Sequence, residues 1–417
     1  MAISDIDAQD DSRKLAASFD LSKLPPDFYA DPYPYYRALR DHEPVKHMPD
    51  GSWFLTRYDD IVPVYRDFKR FSSDKKKEFG AKYGATPLFE HHTSSLVFTD
   101  PPRHTSVRRA IVGAISQRHI AAMEPGLVTL VDGLLAAMSE KREVDLIEDF
   151  AAAIPIGIIG NLLGVPHDER GPLRGWSLDI LGALEPVLTA ERATKGNRAV
   201  TDMLAYLKIL VDERRAHLRD PDTDVLTRLI VGGDDGEPLA ENQLLHQCIF
   251  LLNAGHETTT NLIGSALHAL SGWPDQKAKL IAQTGNLEAM KTAVEEFLRY
   301  ESSVQLGNRI TTEDVEVGGF ELPPDSRITI AIGAANRDPA QFADPDRLDI
   351  AREPNRHLAF AFGIHTCAGI NLARMEARVA LSRFLARFPD YAPTADPVRD
   401  QRARFRGFLH LPATVAA

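Results

Sequence analysis

Apolar residues recur at helical spacing along most of this chain. Six long stretches carry them at every third or fourth position, which predicts amphipathic or buried α-helices. These stretches are residues 120–138, 146–163, 192–219, 239–270, 287–300 and 370–388. A shorter helix is expected to begin after Asp31-Pro32-Tyr33-Pro34 and to end near Arg40, because proline suits the first turn of a helix. The pattern predicts a mainly α-helical protein.

Segments rich in β-formers are few and short. Residues 52–58, 316–320 and 327–332 are predicted strands, the last two on either side of a Pro323-Pro324 turn. Residues 220–237, rich in Asp and Gly, are expected to form a surface loop, and the polar residues 1–30 a poorly ordered segment. No internal repeat or low-complexity linker divides the rest, so residues 31–417 are predicted to form a single domain with a small β-rich lobe.

Composition narrows the class of protein. A chain of 417 residues that is 44% hydrophobic can bury a large core, and a formal net charge of −11 argues against a dedicated nucleic-acid binder. Its two cysteines exclude a disulfide framework, although one bridge remains formally possible, and they fit a reducing compartment. Residues 1–26 contain no apolar run long enough for a signal peptide or a membrane span. The sequence therefore predicts a cytoplasmic protein without a membrane anchor.

The most informative segment delivers a lone cysteine to the start of a predicted helix. It reads Phe360-Ala-Phe-Gly363-Ile-His365-Thr-Cys367-Ala-Gly369. Free backbone N–H groups and the positive end of a helix dipole favour the thiolate, which is the form that binds metals. The glycines permit a tight backbone around the sulfur. Cys248 lies in an apolar run without glycine or basic neighbours and is expected to be an inert buried side chain.

The long central helix contains an unusual polar segment, Asn253-Ala-Gly-His-Glu-Thr-Thr259. A mid-helix glycine costs about 1 kcal/mol, and local violations in a core helix often mark a functional site. The alternative is a glycine for close packing, threonines that bond back to a carbonyl one turn earlier, and Glu257 facing solvent. A zinc-hydrolase motif, His-Glu-x-x-His, is incomplete because residue 260 is Thr, so His256 is expected to be structural.

Both segments resemble those of the cytochromes P450. Phe-x-x-Gly-x-His-x-Cys-x-Gly at 360–369 resembles that family's haem-binding loop, and Ala-Gly-x-Glu-Thr-Thr at 254–259 resembles its oxygen-activation segment. The pair Glu296-x-x-Arg299 and the later Asp-Pro-Asp-Arg347 also resemble family motifs. One departure is Ala361, where many members have glycine. The resemblance runs from about residue 31 to 411 and implies the P450 fold, with haem between the central helix and the cysteine loop.

The resemblance also implies roles for particular residues. Cys367 would be the proximal ligand of the iron of haem b, and its electron donation favours O–O cleavage. Ala254 and Gly255 would leave room for dioxygen, Thr258 would hydrogen-bond it, and Glu257 would help relay protons through water. His104, Arg108, Arg309 and His365 would bind the two propionates of the haem. The other residues expected around the haem are Phe360, Gly363 and Gly369. Glu296, Arg299 and Arg347 would form a structural ion-pair network.

The implied reaction inserts one atom of dioxygen into a substrate and reduces the other to water. The chain has no flavin or nicotinamide fingerprint and no cysteine set for an iron–sulfur cluster. Electrons from NAD(P)H are therefore expected through ferredoxin reductase and ferredoxin, docking near Arg108, Arg109, Arg118 and Arg356 on a monomer. The rivals are a haem-thiolate peroxygenase, dehydratase or nitric-oxide reductase, and a haem sensor. None of them needs the proton relay that Glu257-Thr258 suggests.

By the same resemblance, the substrate pocket is expected to draw on residues 89–98, 178–188, 250–254, 304–308 and 405–408. These segments are mainly apolar and suggest a small to medium hydrophobic substrate. The side chains singled out are Phe89, Phe98, Phe250, Val304, Leu306, Asn308 and Phe408. His91, His92 and Asn308 could recognise one polar group, or they could face solvent.

Overall fold

The structure, a computed structural model, describes residues 3–221, 224–232 and 238–415. Within these residues the chain is mainly helical. The helices are α1 Ile3–Ser18, α2 Pro26–Ala30, α3 Tyr33–His42, α4 Tyr58–Arg66, α5 Lys76–Tyr83, α6 Pro87–Ser94, α7 Arg103–Ala114, α8 Gln117–Ser139, α9 Ala153–Leu163, α10 Gly171–Gly182, α11 Ala190–Ala216, α12 Val225–Val231, α13 Glu241–Gly272, α14 Pro274–Ile281, α15 Leu287–Tyr300, α16 Ile332–Ala335 and α17 Ile370–Arg387.

The long predicted helices are present, and most of their ends lie within one turn of the prediction. Local capping explains several ends. The Ser116 hydroxyl accepts from the N–H of His119 at the start of α8, and Thr189 does the same for Arg192 at the start of α11. The predicted helix 146–163 instead begins with a π-helical turn, Ile147–Ala151, before α9. Gly164, with φ +72°, ends α9 in the left-handed conformation that suits glycine.

Short strands form a small β-rich part. They are β1 Val45–His47, β2 Trp53–Leu55, β3 Phe71–Ser72, β4 Glu143–Asp145, β5 Leu306–Thr311, β6 Val315–Val317, β7 Phe320–Leu322, β8 Arg327–Ala331, β9 Ala392–Pro393 and β10 Pro412–Thr414. The largest sheet has the order β1-β2-β8-β5-β3, with β2 and β8 parallel and its other neighbours antiparallel. A second sheet has the order β4-β10-β9, and β6 and β7 form a hairpin.

Two strand predictions were wrong in their extent. The predicted strand 52–58 is only β2, because α4 already begins at Tyr58. The predicted strand 316–320 is interrupted by Gly318 and Gly319, with φ of +56° and +85°. Two consecutive residues with positive φ form the tight turn of a hairpin, so β6 ends before them and β7 follows.

The first thirty residues contain α1 and α2 rather than the predicted loosely ordered segment. Phe19 and Phe28 are buried, and their rings lie 5.9 Å apart in an aromatic cluster with Tyr35 and Phe54. These contacts stabilise a segment that lacks a strong helical pattern of its own. The predicted loop 220–237 contains α12, whose N-cap Asp224 accepts from Thr227 N–H at 2.7 Å. Residues 222–223 and 233–237 of that prediction lie outside the described residues.

Helix α13 runs through the main hydrophobic core and contacts α9, α10, α11 and α17. Most of its side chains are buried, as expected for a helix with apolar residues on most of its sides. In the middle of the helix, however, Ala254 is exposed, and Phe250 and Thr258 on the same side are only partly buried. Because the surrounding turns of the helix are buried, this stripe faces an interior gap.

Among the described residues, α8 alone has the length and apolar content of a membrane-crossing helix. Its residues Leu127, Val131 and Leu135 are buried in the main core. On the same face Arg378 of α17 donates to Glu124 at 2.7 Å. One face of the helix therefore packs inside the fold.

Candidate active site

The cysteine loop lies at the start of α17. Cys367 follows a single 3₁₀ turn, Gly363–His365, and its N–H donates to the carbonyl of Phe360 at 2.9 Å. Gly363 has φ +74°, and a Cβ there would lie 2.5 Å from the Tyr65 carbonyl oxygen, so glycine is required for both reasons. Gly369 has an ordinary φ of −91° and open space around it, so its predicted conformational role is not needed.

Ala361 is the departure from the family pattern, and its backbone is left-handed, with φ +57°. Glycine adopts this conformation freely, whereas an L-residue with a side chain pays about 1–2 kcal/mol. The turn is therefore retained, and alanine holds it at a local cost.

The surroundings of the Cys367 sulfur act in opposite directions. Burial raises the pKa of Cys367, while the Gly369 N–H and the positive charges of Arg108 and Arg374 lower it. The N–H group and the two positive charges therefore stabilise the thiolate, which is the form that binds a metal. By contrast, burial alone raises the pKa of Cys248 to about 12, as expected for an inert core thiol.

The polar segment of α13 shows which residues face the gap. Ala254 faces it, and the Thr258 hydroxyl at its edge donates to the Ala254 carbonyl at 2.7 Å. Gly255 has a packing role, and its place beside dioxygen stays a prediction. A Cβ there would lie 3.1 Å from the Ile159 side chain, so this glycine allows α13 to approach α9 closely. His256 is buried, and burial lowers its pKa to about 3, as expected for a structural histidine.

Glu257 faces neither solvent nor the gap. It is 2% exposed and forms an ion pair with Arg402, which is 5% exposed. Arg402 also pairs with Asp400 at 2.7 Å. The sequence did not reveal this partner, because Arg402 lies in an irregular C-terminal segment without a recognisable motif.

Several cationic and imidazole groups converge beside the cysteine loop. The rings of His104 and His365 lie 4.3 Å apart, and Arg309 is buried nearby over the ring of Tyr65. The Nε2 atoms of both histidines are buried and have no hydrogen-bond partner among the described residues. Burial, with the charges of Arg309, His104 and Arg108, lowers the pKa of His365 to about 2. Unpartnered nitrogens and cations in one place fit the carboxylates of a haem.

Arg108 has a different contact from the one predicted. Its Nη2 donates to the Thr366 carbonyl at 2.7 Å, next to the cysteine. The side chain therefore ties α7 to the cysteine loop. At this position it also supplies the positive charge that acts on Cys367.

The ion-pair network behind the loop is present with one correction. Arg299 and Glu296, both fully buried, form two bonds of 2.7 and 2.8 Å. The third member is Arg352, whose Nε lies 3.1 Å from Glu296 Oε2, and not Arg347. The side chain of Arg347 is exposed, and only its carbonyl accepts from Arg299 at 3.2 Å, because the turn at residues 344–347 directs the backbone inward.

The predicted pocket residues separate into two groups. Phe89, Phe98, Phe250 and Val304 are partly buried at the edge of the main core and remain candidates. Phe408 packs on His268 at 4.7 Å, and His268 follows Thr258 by almost three turns, about 15 Å along the helix axis. It therefore lies away from the gap.

The β5 residues also differ from the prediction. Leu306 is buried in the N-terminal aromatic cluster with Tyr36 and Phe54. Asn308 donates to the Thr329 hydroxyl at 3.2 Å across the sheet. The face of β5 that carries both residues therefore packs within the protein.

His91 and His92 do not face solvent. Both are 2% exposed, and their rings lie 5.2 Å apart. The ring of His91 also lies 5.6 Å from that of buried His246. Nδ1 of His91 and Nε2 of His92 have no partner among the described residues.

A lone cysteine at a helix start, a cluster of carboxylate-binding groups beside it and an open stripe on the central helix together define a haem-thiolate protein. Comparison with known proteins agrees. The sequence model of the cytochrome P450 family matches residues 178–414. Cytochrome P450 107B1 of Saccharopolyspora erythraea is 36% identical over 95% of this chain and 98% of its own length. Vitamin D(3) 25-hydroxylase of Pseudonocardia autotrophica is also 36% identical, over 93% of this chain and 94% of its own.

Solved structures give the same result. P450BioI, crystallised with an acyl carrier protein carrying hexadec-9Z-enoic acid, superposes with a TM-score of 0.87 at 31% identity. The match covers 94% of this chain and all of that one. The chain belongs to the cytochrome P450 family. It is a haem monooxygenase with the family's cysteine-thiolate haem, and it uses dioxygen, a small-molecule substrate and redox partners.

Proposed function

We propose that this P450 hydroxylates a small to medium, mainly hydrophobic molecule with electrons from NAD(P)H through ferredoxin reductase and ferredoxin. The observation that carries the proposal is the stripe of Phe250, Ala254 and Thr258, which stays open in an otherwise buried central helix. It is accompanied by the loop that presents Cys367 at the start of α17. Curated relatives include a vitamin D(3) 25-hydroxylase and a 6-deoxyerythronolide B hydroxylase, which supports an organic substrate of this kind.

Within this proposal Cys367 is the iron ligand. His104, His365 and Arg309 bind the propionates, for which their free nitrogens and charges are suited. The haem, when bound, activates dioxygen and supplies the oxygen atom that enters the substrate. The protein's part is to position the substrate, to exclude water and to supply protons.

Proton supply requires two changes from the observed contacts. The Thr258 hydroxyl must rotate from the Ala254 carbonyl toward the gap before it can donate there. Glu257 must leave Arg402 to exchange a proton with water near Thr258. The acid–alcohol pair is therefore present, and it is held in a resting arrangement.

Electron delivery is proposed at the exposed arginines near the cysteine loop. Arg109, Arg118 and Arg356 are exposed and available to an acidic ferredoxin, whereas Arg108 is turned inward to Thr366. We expect the rate of reduction to fall with rising salt. A rate independent of salt, or unchanged in Arg109→Gln with Arg356→Gln, contradicts this docking face. A monomer in the cytoplasm fits the same proposal.

The decisive experiment is the absorption spectrum of the dithionite-reduced protein with carbon monoxide. A strongly red-shifted Soret band is expected for the wild type and for Cys248→Ala, the matched cysteine control. Cys367→Ala should lose it. A histidine-type carbonyl spectrum in fresh wild-type protein, or an unchanged band in Cys367→Ala, refutes the assignment.

Peroxygenase chemistry is the second candidate, and one observation favours it. Glu257 is paired with Arg402 and does not face the gap, an arrangement that a reaction without proton relay would tolerate. The two functions are separated by comparing product formed with NAD(P)H and redox partners against product formed with hydrogen peroxide alone. Full activity with peroxide alone, unaffected by Thr258→Ala, establishes the peroxygenase.

A further inference from the structure

Two cations lie beside the connection between α10 and α11, and neither forms a salt bridge with a carboxylate of the described residues. Lys82, in the last turn of α5, donates to the Glu185 carbonyl at 2.6 Å. Arg404 donates from Nε to the Leu184 carbonyl at 3.1 Å and from Nη1 to the Leu306 carbonyl at 3.0 Å. All these acceptors are neutral. We call Lys82 and Arg404 the cation pair.

The nearby acids offset this charge only in part, because neither Glu78 nor Glu185 forms a salt bridge with the pair. Within the described residues no carboxylate oxygen lies within 4.0 Å of the Lys82 ammonium or the Arg404 guanidinium. Glu78 is bonded to buried Lys75 at 2.9 Å. The carboxylate of Glu185 accepts instead from the backbone N–H groups of Ala403 and Arg404, at 2.7 and 3.2 Å.

Burial makes this arrangement costly. It raises the pKa of Glu185 and so weakens the negative charge nearest to the pair. Burial, then the charge of Arg404, lowers the pKa of Lys82 to about 8, against the opposing effects of Glu78 and Glu185 and with a smaller lowering by Arg192. Two partly buried cations without a counter-ion are destabilising, and an anion placed between them would relieve that cost.

A second observation points to a ligand at the same place. His92 is 2% exposed, and its Nε2 has no partner among the described residues. Its ring lies 5.3 Å from that of Tyr83 and 6.1 Å from that of Phe98. Burial, then the charges of Lys82 and Arg404, lowers its pKa to about 3, so His92 is a neutral hydrogen-bonding group beside the cation pair.

The location connects this polar group to the substrate gap. The Arg404 carbonyl accepts from the N–H of Gln305 at 2.8 Å, and the next residue, Phe405, forms a β-bridge with Val304. Phe98 and Val304 are both pocket candidates. An anion bound by the cation pair would thus lie close to apolar pocket candidates, since Phe98 contacts His92 and Val304 pairs with Phe405.

We infer that Lys82 and Arg404 bind the carboxylate of the substrate, which makes the preferred substrates hydrophobic carboxylic acids. His92 supplies a neutral hydrogen bond to the same group. This inference rests on the proposed function, and it narrows the substrate class. Arg309, His104 and His365 remain the groups for the haem propionates, so the cation pair is a separate anion site.

The test compares acids with alcohols of the same shape. The holoprotein, first shown to have the red-shifted carbonyl band, is titrated with dodecanoate and 1-dodecanol, and with 4-phenylbenzoate and 4-phenylbenzyl alcohol. Binding is followed by the Soret shift and by an independent method, equilibrium dialysis. At pH 7 we expect at least one acid to bind about tenfold or more tightly than its alcohol, since a charge-assisted hydrogen bond contributes about 1.5–3 kcal/mol.

Variants assign the effect to the cation pair. Lys82→Gln and Arg404→Gln should each weaken binding of that acid about tenfold and leave binding of its alcohol unchanged. Lys77→Gln is the matched control, because Lys77 lies on the same helix but is exposed and paired with Asp325 at 2.6 Å.

Each other outcome overturns the inference. If acid and alcohol bind equally in both ligand pairs, or if no acid binds at all, the protein has no carboxylate site at the cation pair. Equal weakening of acid and alcohol in the variants shows general damage to the pocket instead of a lost charge contact. Failure of the proposed function is distinct, because it shows earlier, as the absence of the thiolate carbonyl spectrum.

Discussion

Replacing Arg352 by methionine removes the third member of the ion-pair network behind the cysteine loop. The Nε of Arg352 reaches both carboxylate oxygens of Glu296, at 3.2 and 3.1 Å, and its Nη1 donates to the Ala343 carbonyl at 2.7 Å. Glu296 keeps two bonds from Arg299, one from the Asp349 N–H at 2.9 Å and one from Asn355 Nδ2 at 3.1 Å. Without Arg352, the Glu296 carboxylate loses one charged partner but remains paired with Arg299.

The magnitude follows from these contacts. Removing one partner of a buried ion pair lowers the free energy of unfolding by about 3–5 kcal/mol. Because Glu296 keeps its other bonds, we expect Arg352→Met to lower it by about 3 kcal/mol. With an unfolding entropy of about 2.1 cal/mol/K per residue, a chain of 417 residues loses about 3 °C in melting temperature. Arg347→Met removes only an exposed side chain, and the change in stability should stay within about 0.5 kcal/mol.

Differential scanning calorimetry of the two variants beside the wild type measures both shifts. We expect a resolved decrease for Arg352→Met and none for Arg347→Met, with the same order in the amount of haem retained after purification. If Arg347→Met lowers the melting temperature as much as Arg352→Met, the assignment of the third arginine is wrong. A decrease below about 1 °C for Arg352→Met would show that the buried bonds contribute little.

Three further predictions follow from single contacts. Thr258→Ala should lower the product formed per NAD(P)H and raise peroxide release, while Thr258→Ser retains coupling; equal coupling in all three proteins contradicts a proton role for the hydroxyl. Ala361→Gly should raise the free energy of unfolding by about 0.5–1 kcal/mol in urea titrations, because φ +57° strains alanine, and a decrease would show that the turn is unstrained. The pKa of Lys82, lowered to about 8, predicts that the affinity for the acid ligand is greatest near neutral pH, where the ammonium and the carboxylate are both charged, and falls as pH rises through about 8. The alcohol and the Lys82→Gln protein should show no such fall in titrations over that range.

The parts of the fold that follow from local sequence were predictable. Helical spacing located the long helices, and the loop around Cys367 was identified because its residues are contiguous in sequence. The turn at Gly318 and Gly319 was missed inside a predicted strand, although two adjacent glycines are themselves a hairpin signal. Side-chain direction was the main difficulty: Gly255 packs on α9, and β5 turns Leu306 away from the gap.

Partners distant in sequence could not be predicted. Arg352 and Arg347 both lie in the same irregular segment, and only the direction of the backbone there decides which guanidinium reaches Glu296. Arg402 offers no motif, yet it is the ion-pair partner of Glu257. Such choices depend on how elements pack, and composition and periodicity contain no information about them.

The C-terminal segment that carries Arg402 and Arg404 has a consequence for how the protein is made. Synthesis proceeds from the N-terminus, and elements generally fold as they emerge. Helix α13 and the cysteine loop therefore leave the ribosome before the residues that pair with Glu257 and bond to the Leu184 and Leu306 carbonyls. The Glu257 ion pair and the contacts of Arg404 can therefore form only after α13 and the cysteine loop have been synthesised.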